Sequence, residues 1–154
     1  MGSGMNDDLR ELLESLRSHN VEFLIIGAHA VGFYSKPRLT EDIDVWANRD
    51  PENAARLKAA LDHFGAPIGD SGAAEFSRLE RQMIRLGVPP QMVDILNFAG
   101  KKDFSEVWVN RQSGNLFGVE VDFPSKEDLI EMKTAAGRPQ DLADIDRLRR
   151  TGDS

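Results

Sequence analysis

The sequence predicts a single α/β (α+β) domain, a mixed central sheet flanked by helices. Short apolar runs rich in β-branched residues alternate with longer stretches whose apolar residues recur every three or four positions. No repeat, low-complexity tract or second set of core runs interrupts this pattern over 154 residues, a length at which one core is the ordinary outcome. Residues 1–4 (MGSG) read as a cloning scar ahead of a natural start at Met5. Residues 5–150 form the expected domain, and residues 151–154 a tail.

The elements follow in chain order. Residues 6–18 place Leu9, Leu12, Leu13 and Leu16 at helical spacing with acids first, as the helix dipole favours. VEFLIIGA, residues 21–28, is a short apolar run closed by glycine and reads as a buried strand. AHAVGFYS makes a short helix before Lys36-Pro37 breaks it. A second strand is expected from Leu39 to Ala47. Asp50-Pro51 then opens a helix carrying Ala55, Leu57, Ala60, Leu61 and Phe64. Residues 65–74 (GAPIGDSGAA) form a loop by composition. Strands are expected at 81–88, 92–97 and 115–122, while 103–109 fits helix and strand equally. Ser125, three residues before Asp128, caps a helix that Gly137-Arg138-Pro139 interrupts, and QDLADIDRLRR makes a last helix.

Composition narrows the function classes. Hydrophobic residues make up 40% and charged residues 29%, a globular balance without a run long enough to span a membrane. The N-terminus lacks the basic-then-apolar order of a signal peptide. The absence of cysteine excludes disulfides, thiolate metal sites and cysteine nucleophiles, and it fits a cytoplasmic location. A net charge of −7, from 19 basic and 26 acidic residues, argues against a broad basic surface for nucleic acid. It leaves room for a local contact through metal ions and a few arginines.

Asp42-Ile43-Asp44-Val45 is the segment that needs explaining, because aspartate is depleted from strand interiors. In an extended chain Arg38, Thr40, Asp42 and Asp44 share one face, and Leu39, Ile43 and Val45 take the other with Glu41. Two carboxylates ~6–7 Å apart along a strand can converge on divalent ions. Hard oxygen ligands of this kind suit Mg²⁺. Taken alone, D-x-D fits an exposed acidic face better than a metal site. Upstream, Gly27-Ala28 ends the first strand and opens a helix, where backbone amides can receive phosphate.

Together GAHAVGFYSKPRLTEDIDVW resembles the signature of the polymerase-beta-like nucleotidyltransferase superfamily. That signature is a strand ending in glycine plus a small residue, a short helix, and a strand reading acid-hydrophobic-acid-hydrophobic. With R-x-T just before D-I-D, this version looks most like the small bacterial AbiEii-type, minimal nucleotidyltransferases. It departs at Ala28, where the superfamily commonly has serine or a second glycine. The resemblance implies a minimal nucleotidyltransferase fold and a third carboxylate on a neighbouring strand. Asp94, in MVDIL, has the matching apolar surroundings. Asp122 competes, but it precedes Phe123-Pro124, where a turn or capping role is expected. Residues 129–148 resemble the C-terminal K-x-x-A-x-x-R…D-x-x-D region of these proteins. The resemblance gives Lys133 the role of a mobile cation on the triphosphate. Arg138, Asp141 and Asp144 are read as a structural bracket.

The implied reaction moves a nucleoside monophosphate from an NTP, ATP among them, to a hydroxyl acceptor. Asp42, Asp44 and Asp94 would hold Mg²⁺ or Mn²⁺, and Gly27, Ala28, Arg38, Thr40 and Lys133 would bind nucleotide. Members of the resembling family include toxins of toxin–antitoxin pairs that modify tRNA or protein, and the superfamily also modifies small molecules such as antibiotics. The short chain implies an open acceptor groove or one completed by a partner protein such as an antitoxin. The rivals are a non-catalytic binding or regulatory subunit on this fold and a metal-dependent nuclease. His29, Trp46 and Trp108 read as packing or rim residues.

Overall fold

Helices form where the sequence carries an apolar stripe between clear end signals. The computed structural model describes residues 4–36, 40, 42–78, 80–88 and 91–150. Helix α1 (Gly4–Ser18) buries Leu9, Leu12, Leu13 and Leu16, and the chain turns through Asn20 (φ 59) into strand β1 (Phe23–Ile26). Helix α2 (Ala28–Tyr34) leads to strand β2 (Ile43–Ala47). Helix α3 (Pro51–Phe64) has proline in its first turn and ends on left-handed Gly65. Helix α4 (Gly69–Phe76) precedes strands β3 (Met83–Val88) and β4 (Gln91–Leu96). Helix α5 (Phe104–Trp108), strands β5 (Gln112–Leu116) and β6 (Val119–Phe123), and helices α6 (Lys126–Ala136) and α7 (Pro139–Arg150) complete the chain.

The central sheet runs β1-β2-β4-β3. It is mixed: β2 and β4 are parallel, and the pairs β1/β2 and β4/β3 are antiparallel. Alternation divides its residues between two faces. Phe23, Ile25, Ile43, Val45, Val93 and Ile95 join α1 and α3 in the main core. Leu24 and Trp46 point the other way, into a smaller cluster with Ala99, Phe104 and Val107. Buried Asn53 ties α3 to the strand ends, accepting from Glu22 N–H at 2.7 Å and donating to the Asn48 carbonyl at 2.7 Å.

Several expectations change. Strand β2 starts at Ile43, so Asp42 lies just ahead of it, and Pro37, Arg38, Leu39 and Glu41 lie outside the described residues. Part of the expected 65–74 loop is helical, because Phe76 is buried and anchors α4 against the core. The expected strand 115–122 is a hairpin. Phe117 (φ 54) and Gly118 (φ 85) both adopt positive φ, as a tight two-residue turn requires. The ambiguous 103–109 is helical because Asp103 and Glu106 form a reciprocal capping box. Ser125 caps α6 as expected, accepting from Asp128 N–H at 3.1 Å.

Candidate active site

Strand register sets the site. Ile26 pairs with Asp44, Asp44 with Asp94, and Asp94 with Arg85. Directly paired residues point to the same side of a sheet. A row Ile26–Asp44–Asp94–Arg85 therefore crosses one face of all four strands. Asp42 is exposed at the mouth of β2, its N–H donating to the Thr40 hydroxyl at 3.2 Å. Thr40 thus shapes the approach to Asp42. Arg38 lies outside the described residues.

Gly27 closes on this row from above. Its φ of 72 belongs to the region that glycine alone adopts at little cost, and a β-carbon there would collide with Asp44 Oδ2. Backbone conformation and close approach thus both demand glycine. Gly27 also starts α2 without a side-chain cap, and its carbonyl accepts from Ala30 and Val31 N–H at 3.1 Å. The amides of Ala28 and His29 come ahead of these first helical bonds. The His29 ring faces the Asp42 backbone, and its Nε2 is buried without a hydrogen-bond partner among the described residues. Burial holds the imidazole below its ordinary pKa, against the opposing pull of Asp42.

Charge crowding is the main electrostatic feature. The Asp44 carboxyl is pushed above its usual value, first by burial, then by the charges of Asp94 and Asp42. Lys133 and Arg85 act in the opposite direction. Lys133 lies 3.2 Å from Asp144 and 3.5 Å from Asp141, and its charge acts on Asp44. Arg138 grips Asp141 at 2.6 Å and holds that carboxyl below its ordinary range, while Asp144, the third residue of the expected bracket, pairs with Lys133. Asp122 belongs to β6, not to a turn; it accepts from Ser113 at 3.2 Å and faces Arg111 at 3.6 Å.

Arg85 is the residue that sequence reasoning missed. Its Nε and Nη2 donate to the two oxygens of Asp94 at 2.8 and 3.1 Å. The two residues are nine positions apart on antiparallel strands, a contact that only register could have disclosed. His29 was visible as a residue but not as a neighbour of Asp42.

The donor set of Asp42, Asp44 and Asp94 consists of hard carboxylates suited to Mg²⁺. Beyond burial, the charges of Asp94 and Asp42 make the surroundings of Asp44 a negative field that a divalent ion would relieve. As they stand, no three acidic or histidine side chains among the described residues lie close enough to hold one ion. A separate cavity of about 480 Å³, lined by Asn48, Arg49, Phe98 and Lys101, lies at the far end of β2 and β4 and contains none of these acids.

A family described as nucleotidyltransferases of unknown function (DUF6036) matches residues 5–149. The fold is shared with ANT(2")-Ia in complex with adenylyl-2"-tobramycin, at 15% identity and a TM-score of 0.57 over 97% of this chain and 88% of that one. It is also shared with the lincomycin-bound lincosamide antibiotic adenylyltransferase LnuA, at 14% identity and a TM-score of 0.55 over 95% and 97%. A third is an antigenic nucleotidyltransferase-like protein from Paracoccidioides brasiliensis, at 20% identity and a TM-score of 0.54 over 96% and 74%. No curated protein matches the sequence. No described helix is long and apolar enough to cross a membrane. The chain belongs to the DUF6036 nucleotidyltransferase family and is an enzyme of that class.

Proposed function

We propose that this nucleotidyltransferase transfers a nucleoside monophosphate from an NTP to a hydroxyl acceptor across the face carrying Asp42, Asp44 and Asp94. The observation that carries the reading is the pairing of Asp44 with Asp94 on adjacent parallel strands, with the Gly27 backbone packed against Asp44. The acceptor oxygen attacks the α-phosphorus, the α–β bridging P–O bond breaks, and pyrophosphate leaves with the bonding electrons. The hydroxyl proton passes to solvent.

Asp42 and Asp44 would hold Mg²⁺ or Mn²⁺, with Asp94 as the third ligand on the acceptor side. Such ions neutralise triphosphate charge and lower the pKa of an attacking hydroxyl. The chain's own groups position the reactants. The Gly27-Ala28 turn presents backbone amides to phosphate, with no side chain at Gly27 to hold the substrate away. Lys133, fixed by Asp141 and Asp144, sets a positive charge beside Asp44 for the triphosphate. Thr40 orients Asp42, and Arg38 is the further candidate for nucleotide contact. Positioning and charge compensation thus do most of the catalysis.

For the acceptor, the sequence resemblance points to tRNA or protein, with the enzyme as the toxin of a toxin–antitoxin pair. Tobramycin and lincomycin in the structural neighbours make small hydroxylated molecules the second class to test. The test incubates the chain with each α-labelled triphosphate and Mg²⁺ or Mn²⁺, offering total tRNA, lysate protein, an aminoglycoside and a lincosamide in separate reactions. Label should appear on one acceptor class and vanish in Asp42→Ala and Asp44→Ala chains that remain folded. Metal-dependent labelling retained in both variants would overturn the assignment. Nucleic acid cleavage without any triphosphate would point to a nuclease. Folded protein that binds no nucleotide in the presence of metal would point to a regulatory module.

A further inference from the structure

We propose that Arg85 is the counter-cation that Asp94 exchanges for a divalent ion, so that this arginine sets how tightly the site takes its metal. The inference rests on the reading of Asp94 as a metal ligand.

The geometry makes Arg85 and an ion competitors. The guanidinium forks onto Asp94, with Nε on Oδ1 at 2.8 Å and Nη2 on Oδ2 at 3.1 Å, so both carboxylate oxygens are engaged. The fork takes one lone pair on each oxygen, so an ion chelated by both oxygens must displace it, and an ion on a single outer lone pair meets the guanidinium charge at close range. Register keeps the pair together, since Arg85 and Asp94 are direct partners in the β3–β4 ladder. No backbone movement is needed to make or break the contact.

Exposure decides which partner yields. The Asp94 side chain is 18% exposed in the middle of β4, whereas that of Arg85 is 56% exposed at the end of a long stem. The arginine can swing into solvent and the carboxylate stays in the row.

The charge balance explains why an arginine belongs there. Asp42 and Asp94 already crowd Asp44, and the cations that relieve it are Lys133 and Arg85. Lys133 is shared with two buried acids, Asp141 and Asp144. Among the described residues Arg85 makes its ion pair with Asp94, and it also acts on the charges of Asp42 and Asp44. It therefore balances the acidic row while no ion is bound, and an arriving ion takes over that balance. An ion pair this exposed contributes little to stability, which leaves occupancy of Asp94 as its consequence.

The test titrates Mn²⁺ into the folded chain without nucleotide, reading free Mn²⁺ by electron paramagnetic resonance. The chains compared are wild type, Arg85→Gln, Arg85→Lys, Asp94→Asn and the Arg85→Gln/Asp94→Asn double variant. Arg85→Gln should bind Mn²⁺ roughly two- to fivefold more tightly than wild type. Arg85→Lys, a point charge that cannot fork, should fall between them, and it serves as the test if the glutamine variant does not fold. The gap should narrow as NaCl rises, because the displaced pair is solvent-exposed. It should vanish in the Asp94→Asn background. Unchanged or weaker Mn²⁺ binding in the folded Arg85 variants, or an effect that survives Asp94→Asn, overturns the inference. Mn²⁺ that binds through Asp42 and Asp94 regardless of residue 85 sinks this inference alone. Mn²⁺ that does not bind wild type at all sinks the metal reading and this inference with it.

Discussion

At Asp44 the needs of the site oppose the stability of the fold. Burial and the neighbouring acids raise its pKa, so the native state favours the protonated form more than the unfolded chain does. The associated stability is full below the ordinary carboxylate pKa and is lost as pH rises through the raised one. At neutral pH the ionised side chain is therefore a burden while no cation is bound. Asp44→Asn should melt about 1–3 °C above wild type in chelator, a modest shift because Asp44 keeps some contact with solvent. Transfer activity should be lost in the same protein, and added Mg²⁺ should close the gap by stabilising wild type alone. A lower melting temperature for the variant in chelator would show Asp44 to be an ordinary stabilising carboxylate. Gly27→Ala makes the complementary case, since φ 72 and the collision with Asp44 act together. It should cost about 1–3 kcal/mol in a denaturant titration and lower transfer at least as severely as it lowers stability. Asp44 stood out in the sequence because aspartate is disfavoured inside a strand, Asp42 because it completes D-I-D just ahead of that strand, and Gly27 because it closes an apolar run. Arg85 was not legible, since a surface arginine on a strand is unremarkable until the register sets it against Asp94.

Among the elements, α2 is the one on which the site turns. It starts at Gly27 beside Asp44 and ends at Tyr34, whose hydroxyl donates to the Pro124 carbonyl at 2.6 Å. That bond ties α2 to the link between β6 and α6. Burial, helped by the charge of Asp128, pushes the Tyr34 phenol up to about 12. Tyr34 is the only tyrosine in the chain, so phenolate absorbance reports this contact without interference. The native titration should have its midpoint near 12, returning to about 10 in denaturant. The stability linked to the phenol should be intact below about 10 and disappear as pH rises towards the native value. A native midpoint near 10 would mean that α2 is not docked as described. Elements with a clear apolar period or cap, such as α1, α3 and α6, could be read in advance. The β5–β6 hairpin could not, because a Phe-Gly turn inside an apolar run looks like continuing strand. Nor could α4, whose glycines and alanines resemble a loop until Phe76 is seen in the core.

Whole-molecule behaviour depends on whether the hairpin and last two helices fold with the sheet or on their own. The contacts argue for one unit. Val119, Val121, Phe123, Leu129 and Leu148 belong to the same core as Leu12, Ile25 and Leu57. Arg17 of α1 reaches Glu120 at 3.7 Å and Asp122 at 4.0 Å on β6, and α2 touches both α6 and α7. Lys133 joins α6 to α7 directly beside the sheet acid Asp44. Heat or denaturant should therefore produce one transition. Far-ultraviolet circular dichroism and the fluorescence of Trp46 and Trp108 should trace the same curve. Because the proposed metal–nucleotide site draws on β1, β2, β4, α2 and α6, ligand should shift both probes equally. At a hundredfold excess over Kd the gain is about 2.7 kcal/mol. Two resolved transitions, with only one responding to metal and nucleotide, would divide the chain between the sheet with α1–α4 and residues 112–150. In that event Lys133 would be a docking contact between units, and its place beside Asp44 would depend on their association.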